Sequence, residues 1–151
     1  MEIELSPDLV ADRKANKAAD IVRRCVHCGF CTATCPTYQL LGDERDGPRG
    51  RIYLIKQMLE GESVTRETQQ HLDRCLTCRN CETTCPSGVE YGRLVDIGRE
   101  FIEKKVRRPL GDRLARGLLR EGLTSPLFAP AVQLGSRLKS LLPELLASKL
   151  Q

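Results

Sequence analysis

The pattern of apolar and polar residues along the chain is typical of helices. Ile52, Ile55 and Met58 lie on one helical face, and Leu94 and Phe101 repeat that spacing farther along. No stretch alternates apolar and polar residues over the length of a strand. We therefore predict an all-α fold.

Caps and breakers divide this helical sequence into segments. Ser6, followed by proline, predicts the start of a lead-in helix that runs to Arg24. A Gly-Pro pair and several charges mark residues 42–50 as a loop. Thr65 is a predicted N-cap of a short helix, and a long amphipathic helix should end before Pro109.

In the C-terminal part, helix-breaking residues interrupt the helical pattern. Leucines recur at helical spacing from Leu110 onward, but Gly122, Pro126, Pro130 and Pro143 interrupt them. We expect broken helical segments here, which await a partner.

Charge supports the same division. The chain has a net charge of +4, yet residues 1–103 carry 14 basic and 17 acidic residues, whereas residues 104–151 carry 10 and 3. We therefore predict a lead-in helix at 1–20, a central domain at 21–108 and a basic helical tail at 109–151.

The basic tail lacks the interleaved aromatic residues that nucleic-acid binding would favour, so we expect no nucleic-acid partner. A partner subunit or an anionic membrane surface suits its Arg and Leu pattern better. A solvated helix face is an equally weighted alternative.

Composition limits the compartment and the size of the core. Aromatic residues make up only 4% of the 151 residues, so bound metal should help to stabilise a thin core. The acidic N-terminus lacks the pattern of a secretory signal, which favours a reducing, cytoplasmic location. The longest uncharged stretch, Gly122 to Ser136, is too short to span a bilayer, so we predict no transmembrane segment.

Eight cysteines form an internal repeat. Each run has the form C-x2-C-x2-C-x3-C-P, and an offset of 50 residues superimposes one run on the other. The first run holds Cys25, Cys28, Cys31 and Cys35, and the second holds Cys75, Cys78, Cys81 and Cys85.

Such a run is typical of 4Fe-4S ligation, in which the fourth cysteine, beside proline, binds the other cluster of a two-cluster protein. The sequence thus predicts two neighbouring 4Fe-4S clusters. The predicted ligands are Cys25, Cys28, Cys31 and Cys85 for the first cluster, and Cys75, Cys78, Cys81 and Cys35 for the second.

Other uses of the cysteines fit less well. Zinc sites pair two C-x2-C knuckles and leave a third cysteine at this spacing without a role, and disulfides suit secreted chains. Clusters with four thiolates offer no open iron to a substrate, which favours electron transfer over catalysis. Arg74 and Arg79 suggest that the second cluster has the higher potential, whereas His27 and His71 receive no role.

Beyond the spacing, three segments closely resemble the iron–sulfur subunits of bacterial glycolate oxidase (glycolate dehydrogenase). They are Cys25–Tyr38, Gly42–Tyr53 with its Gly-Pro-Arg-Gly-Arg loop, and Asp73–Gly88. The paired cysteine runs alone are also found in succinate dehydrogenase, anaerobic glycerol-3-phosphate dehydrogenase and heterodisulfide reductase subunits.

The resemblance implies an α-helical ferredoxin fold and electron transfer from flavin-containing subunits that oxidise glycolate, or D-lactate, toward membrane quinone. It also implies peripheral contact with the inner face of the membrane. Relatives continue into two cysteine-rich C-terminal domains, so we expect this chain to be a truncated form or fragment. Alternatives are a related flavin-linked complex and a cluster-dependent structural or sensor module.

Overall fold

The computed structural model describes residues 1–137, and this part of the chain contains helices and no strand, which confirms the all-α prediction. Two short 3-10 turns, Phe30–Thr32 and Glu44–Asp46, accompany the helices. The helices are α1 (Arg13–Arg24), α2 (Pro36–Leu41), α3 (Pro48–Leu59), α4 (Arg66–Asp73), α5 (Asn80–Thr83), α6 (Tyr91–Lys105), α7 (Leu110–Thr124) and α8 (Phe128–Arg137).

The core lies where α6 packs against α1, α3 and α4. Ile21, Ile55, Leu72 and Leu94 are fully buried there, one from each helix. Gly98 lets α6 approach α3 closely, because a Cβ at this position would lie 2.7 Å from side-chain atoms of Ile55. This packing holds the two cysteine runs on one scaffold.

The N-terminal segment differs from the prediction. Helix α1 begins at Arg13, where the Asp12 side chain caps it by accepting hydrogen bonds from the amides of Lys14 and Ala15. Ser6 does not cap a helix: its amide donates to the carbonyl of Leu59 at 2.9 Å, and the residue is buried. The tertiary contact of Ser6 with the end of α3 is therefore formed in place of the predicted helix cap.

The segment between the cysteine runs is a helical hairpin. Helix α3 starts at Pro48, where the missing amide hydrogen costs nothing. Thr65 caps α4 and forms a reciprocal capping box with Thr68, which confirms the predicted N-cap. The hairpin delivers the second cysteine run directly after α4.

The chain divides into two compact units, Met1–Arg107 and a second that begins at Arg108. The prediction that Gly122 and Pro130 break the tail is wrong: Gly122 lies within α7, and Pro130 lies in the first turn of α8, where proline is tolerated. Pro143 lies outside the described residues. No helix within residues 1–137 is long and apolar enough to cross a membrane.

Candidate metal centre

The two cysteine runs adopt the same backbone geometry. The second residue after the first cysteine is left-handed in both, with φ of 59° at His27 and 56° at Thr77. The residue after the second cysteine is also left-handed, with φ of 85° at Gly29 and 61° at Arg79. Non-glycine residues adopt this conformation at an energetic cost, so the surrounding structure must hold both loops in their tight turns.

Four cysteines converge on a cavity at the first run. Burial raises the pKa of the Cys31 thiol, and nearby Cys25 and Cys85 raise it further, while a backbone hydrogen bond from Arg49 acts in the opposite direction. Cys85 comes from the other run. The first cavity is lined by Cys25, Cys28, Cys31 and Cys85, and also by Cys81.

A second cavity repeats this arrangement. Burial, and then the neighbouring thiols of Cys31, Cys75 and Cys35, raise the pKa of Cys81 to about 12. The fourth cysteine again comes from the opposite run. The second cavity is lined by Cys35, Cys75, Cys78 and Cys81.

This donor set fits an iron–sulfur cluster. None of the eight cysteines is in a disulfide, and each cavity brings together at least four cysteines, of which two are buried. Crowded thiols of raised pKa resist losing their protons without a cation, whereas iron binds thiolates and compensates their charge. The same residues would hold one cluster in each cavity, and a bound cluster would supply one-electron chemistry.

The two cavities share a wall. Pro48, Cys81 and Tyr91 line both of them. A hydrogen bond of 3.2 Å from the hydroxyl of Thr84 to that of Thr34 also joins equivalent positions of the two runs. The cavities are therefore neighbours.

A buried polar network beside the second cavity was missed from the sequence. Arg51 is 1% exposed and its guanidinium lies 3.3 Å from Asp46, which is also fully buried. Arg51 also donates to the carbonyl of His71 at 2.7 Å and to the hydroxyl of Thr37 at 3.1 Å. That hydroxyl lies 3.2 Å from the sulfur of Cys35, so the network reaches a cysteine of the second cavity.

A sequence signal for this network exists. Arg51, Ile55 and Met58 share one face of α3, so an arginine occupies the apolar face of an amphipathic helix. Such a position calls for a buried acidic partner. The partner, Asp46, belongs to the preceding 3-10 turn, which no periodicity predicts.

Asp43, Asp46 and His71 lie close enough to resemble a cation site. The charge on Asp46 is already compensated, because it accepts hydrogen bonds from Arg51 and from Arg74, the latter at 2.9 Å. Two guanidinium groups would repel a cation here. This group is therefore an ion-pair network.

The arginines invoked for the cluster potentials have other partners. Arg74 pairs with Asp46, and Arg79 packs its side chain on Gly92, where a Cβ would lie 2.6 Å from the guanidinium nitrogen Nε. Because the charge of Arg74 is compensated by Asp46, Arg74 supports the predicted order of cluster potentials less than the sequence suggested. That order stays a prediction. His27 faces the ring of Tyr53 at a centroid distance of 6.4 Å.

The Gly-Pro-Arg-Gly-Arg segment forms part of the first cavity, and the loop prediction for residues 42–50 is wrong here, because α3 already begins at Pro48. Pro48 and Arg49 line this cavity, and Arg49 pairs with Glu44 while its guanidinium lies against Gly29. A side chain at Gly29 would meet that guanidinium at 2.8 Å. The segment thus packs on the cysteine run that precedes it.

Comparison with known proteins agrees with this geometry. Residues 21–89 match the family described as 4Fe-4S dicluster domain. The chain is 60% identical over 99% of its length to the glycolate oxidase iron–sulfur subunit of Escherichia coli, and 43% identical over 61% of its length to the probable glycolate oxidase iron–sulfur subunit of Bacillus subtilis.

A more distant relative is the succinate dehydrogenase iron–sulfur subunit of Paracoccus denitrificans, 29% identical over 52% of the chain and 33% of that protein. The chain covers 37% of the E. coli subunit and 21% of the B. subtilis subunit. No solved structure matches the chain. Residues 21–89 thus match a 4Fe-4S dicluster domain, which supports two 4Fe-4S clusters as the cofactor, and the chain is similar to the iron–sulfur subunits of glycolate oxidase.

Proposed function

We propose that this chain is the electron-transfer part of a glycolate (2-hydroxy acid) oxidase complex, in which it carries electrons from a flavin-containing subunit toward quinone. The observation that carries the proposal is the pair of adjacent cavities, which together are lined by all eight cysteines, with Cys81 in both. With four thiolates on each cluster, no iron position would remain open to a substrate, and neighbouring clusters favour electron passage between them.

In the proposed ligand set, the fourth cysteine of each run binds the cluster that is held by the other run. Cys25, Cys28 and Cys31 bind the first cluster together with Cys85 of the second run. Cys75, Cys78 and Cys81 bind the second cluster together with Cys35 of the first run. Support comes from the lining of the two cavities, in which Cys85 joins the first run and Cys35 joins the second.

The proposed domain division assigns residues 21–108 to cluster binding and residues 109–151 to docking. Helix α7 carries exposed leucines along much of its circumference and Arg113, Arg116 and Arg120 along one side. A basic amphipathic helix of this kind suits an anionic membrane surface. We therefore include peripheral contact with the inner membrane face in the proposed function.

The test combines metal analysis with electron transfer. Two clusters predict eight iron and eight acid-labile sulfide per chain in protein prepared without oxygen, with low-temperature EPR signals after reduction. The reduced flavin subunit of a glycolate oxidase should then reduce both clusters reversibly. A colourless or zinc-containing preparation would refute the cofactor assignment. Clusters that bind but accept no electrons from the flavin subunit would instead favour a structural or sensor role.

A further inference from the structure

Tyr91 occupies an unusual place, in the wall shared by the two cavities. It is the first residue of α6, is 4% exposed, and lines both the first and the second cavity. Its hydroxyl lies 3.7 Å from the sulfur of Cys75, and no other hydrogen-bond partner of this hydroxyl is found within residues 1–137. A buried tyrosine hydroxyl requires a partner, and here that partner is a cysteine sulfur.

The two cavities differ in this respect. Within the described residues, side-chain hydroxyl groups approach the sulfur of Cys35 and Cys75, both of the second cavity. The Thr37 hydroxyl beside Cys35 also donates to the carbonyl of Asp46 at 2.7 Å, so its single proton has a better acceptor. Within residues 1–137 no competing acceptor of this kind is found for the Tyr91 hydroxyl, so its proton is available to Cys75.

A hydrogen bond to a ligand sulfur changes with the redox state of the cluster. Reduction adds an electron to the cluster and increases the negative charge on its thiolate sulfurs, so a donor bonds more strongly to the reduced form. Tyr91 is 4% exposed, and burial strengthens this electrostatic effect. A donor placed on one cluster alone therefore raises the potential of that cluster relative to its neighbour.

We propose that Tyr91 sets the potential difference between the two clusters, by donating its hydroxyl hydrogen bond to Cys75 and thereby making the second cluster the preferred site of the electron. This inference rests on the proposed ligand set, in which Cys75 binds the second cluster. Tyr91 acts as a positioning and tuning residue through Cys75. A tyrosine hydroxyl keeps its proton at neutral pH and so remains a hydrogen-bond donor.

The test is the Tyr91→Phe variant of the full chain, loaded with iron and sulfide and titrated while EPR signals are recorded. The variant keeps the ring in the shared wall and removes only the donor. We expect the second cluster to be less than half reduced at its wild-type midpoint, while the first cluster is unchanged. Tyr53→Phe is the matched control, because Tyr53 lines neither cavity and is 46% exposed.

A second readout separates a hydrogen bond from a purely structural role. In deuterated buffer the wild-type hydroxyl should give a deuterium hyperfine coupling to the reduced second cluster, and Tyr91→Phe should lose it. If Tyr91→Phe fails to load, a fluorotyrosine at position 91, whose hydroxyl is a stronger donor, should raise the second potential instead. An unchanged second potential, or equal shifts of both clusters, would overturn the inference. Wild-type protein with fewer than eight iron would instead contradict the proposed function.

Discussion

Single residues determine how closely the loops pack on the clusters. Gly50 lies in the first turn of α3, where an added Cβ would be 2.0 Å from the backbone carbonyl oxygen of Glu44. Backbone cannot move aside as a flexible side chain can. The close approach between α3 and the preceding 3-10 turn, and so the position of Pro48 at both cavities, requires glycine at this site.

Gly50→Ala should therefore lower the free energy of unfolding by about 3 kcal/mol, the upper end of ordinary overpacking. Thermal unfolding followed by circular dichroism measures the change. The control is Gly111→Ala, at a helical position where an added Cβ has nothing within 4 Å. Equal melting temperatures for Gly50→Ala and wild type would show that the 3-10 turn at Glu44 can move aside without loss of stability.

Asp46 is the second residue on which local structure depends. The Asp46 carboxylate compensates the charges of Arg51 and Arg74, and Arg51 is almost wholly buried. If Asp46 loses its charge, the buried charge of Arg51 is left without a counter-ion. Asp46→Asn should cost about 3 kcal/mol of folding free energy. It should also release iron preferentially from the second cluster, because the network reaches Cys35 through Thr37.

Chemical denaturation and iron analysis measure these two effects. The control is Asp20→Asn, since Asp20 forms an exposed pair with Arg23 and its loss should change stability by less than about 1 kcal/mol. Equal iron loss from both clusters in Asp46→Asn would contradict the proposed link to Cys35.

At the scale of the element, α7 is an amphipathic helix whose leucines are exposed in the part of the chain that the structure describes. Leu110, Leu114, Leu118 and Leu119 are each more than 60% exposed. No residue of α7 is buried. Exposed leucines next to a row of arginines support the proposed contact with an anionic membrane surface.

Replacement of Arg113, Arg116 and Arg120 by glutamine should weaken binding of the full chain to vesicles that contain anionic lipid. Each arginine near such a surface contributes about 1 kcal/mol, so the triple variant should bind at least tenfold more weakly. Sedimentation with vesicles measures the effect. A control variant with Arg13, Lys14 and Arg23 replaced by glutamine makes the same change in net charge on exposed positions of α1. Equal loss of binding in both variants would indicate nonspecific attraction.

At the scale of the whole molecule, crossing of the ligands would join the two halves of the repeat. Each proposed cluster takes one cysteine from the distant run, so cluster binding closes a loop of about 50 residues. With this ligand set, bound metal would stabilise the packing of α1, α3, α4 and α6, besides carrying electrons.

The crossing predicts which cluster each fourth cysteine affects. Cys85→Ser should impair the first cluster and leave the EPR signal of the second, while Cys35→Ser should do the reverse. Iron content should fall by up to half in both variants, and the temperature of unfolding should fall as well. If Cys85→Ser impaired the second cluster instead, each run would bind its own cluster and the crossed assignment would be wrong.

Local patterns predicted many elements correctly. The Thr65 cap, the amphipathic α6 and the helical hairpin follow from side chains that interact within a few residues of one another. The start of α1 was predicted wrongly, because a long-range contact between Ser6 and Leu59 competes with its capping signal. The break at Gly122 was also wrong, since glycine is tolerated in a helix at a modest cost.

The cysteine spacing and the helical periodicity alone determined the cofactor class and the all-α fold, because thiolate chemistry and amphipathic spacing are local properties of the chain. Tertiary structure decided what surrounds the sulfurs. The Arg51–Asp46 pair lies near Cys35, and the Tyr91 hydroxyl lies near Cys75, only because the helices pack together. Hydrogen bonds and burial depend on distance in space, which only packing of the helices creates.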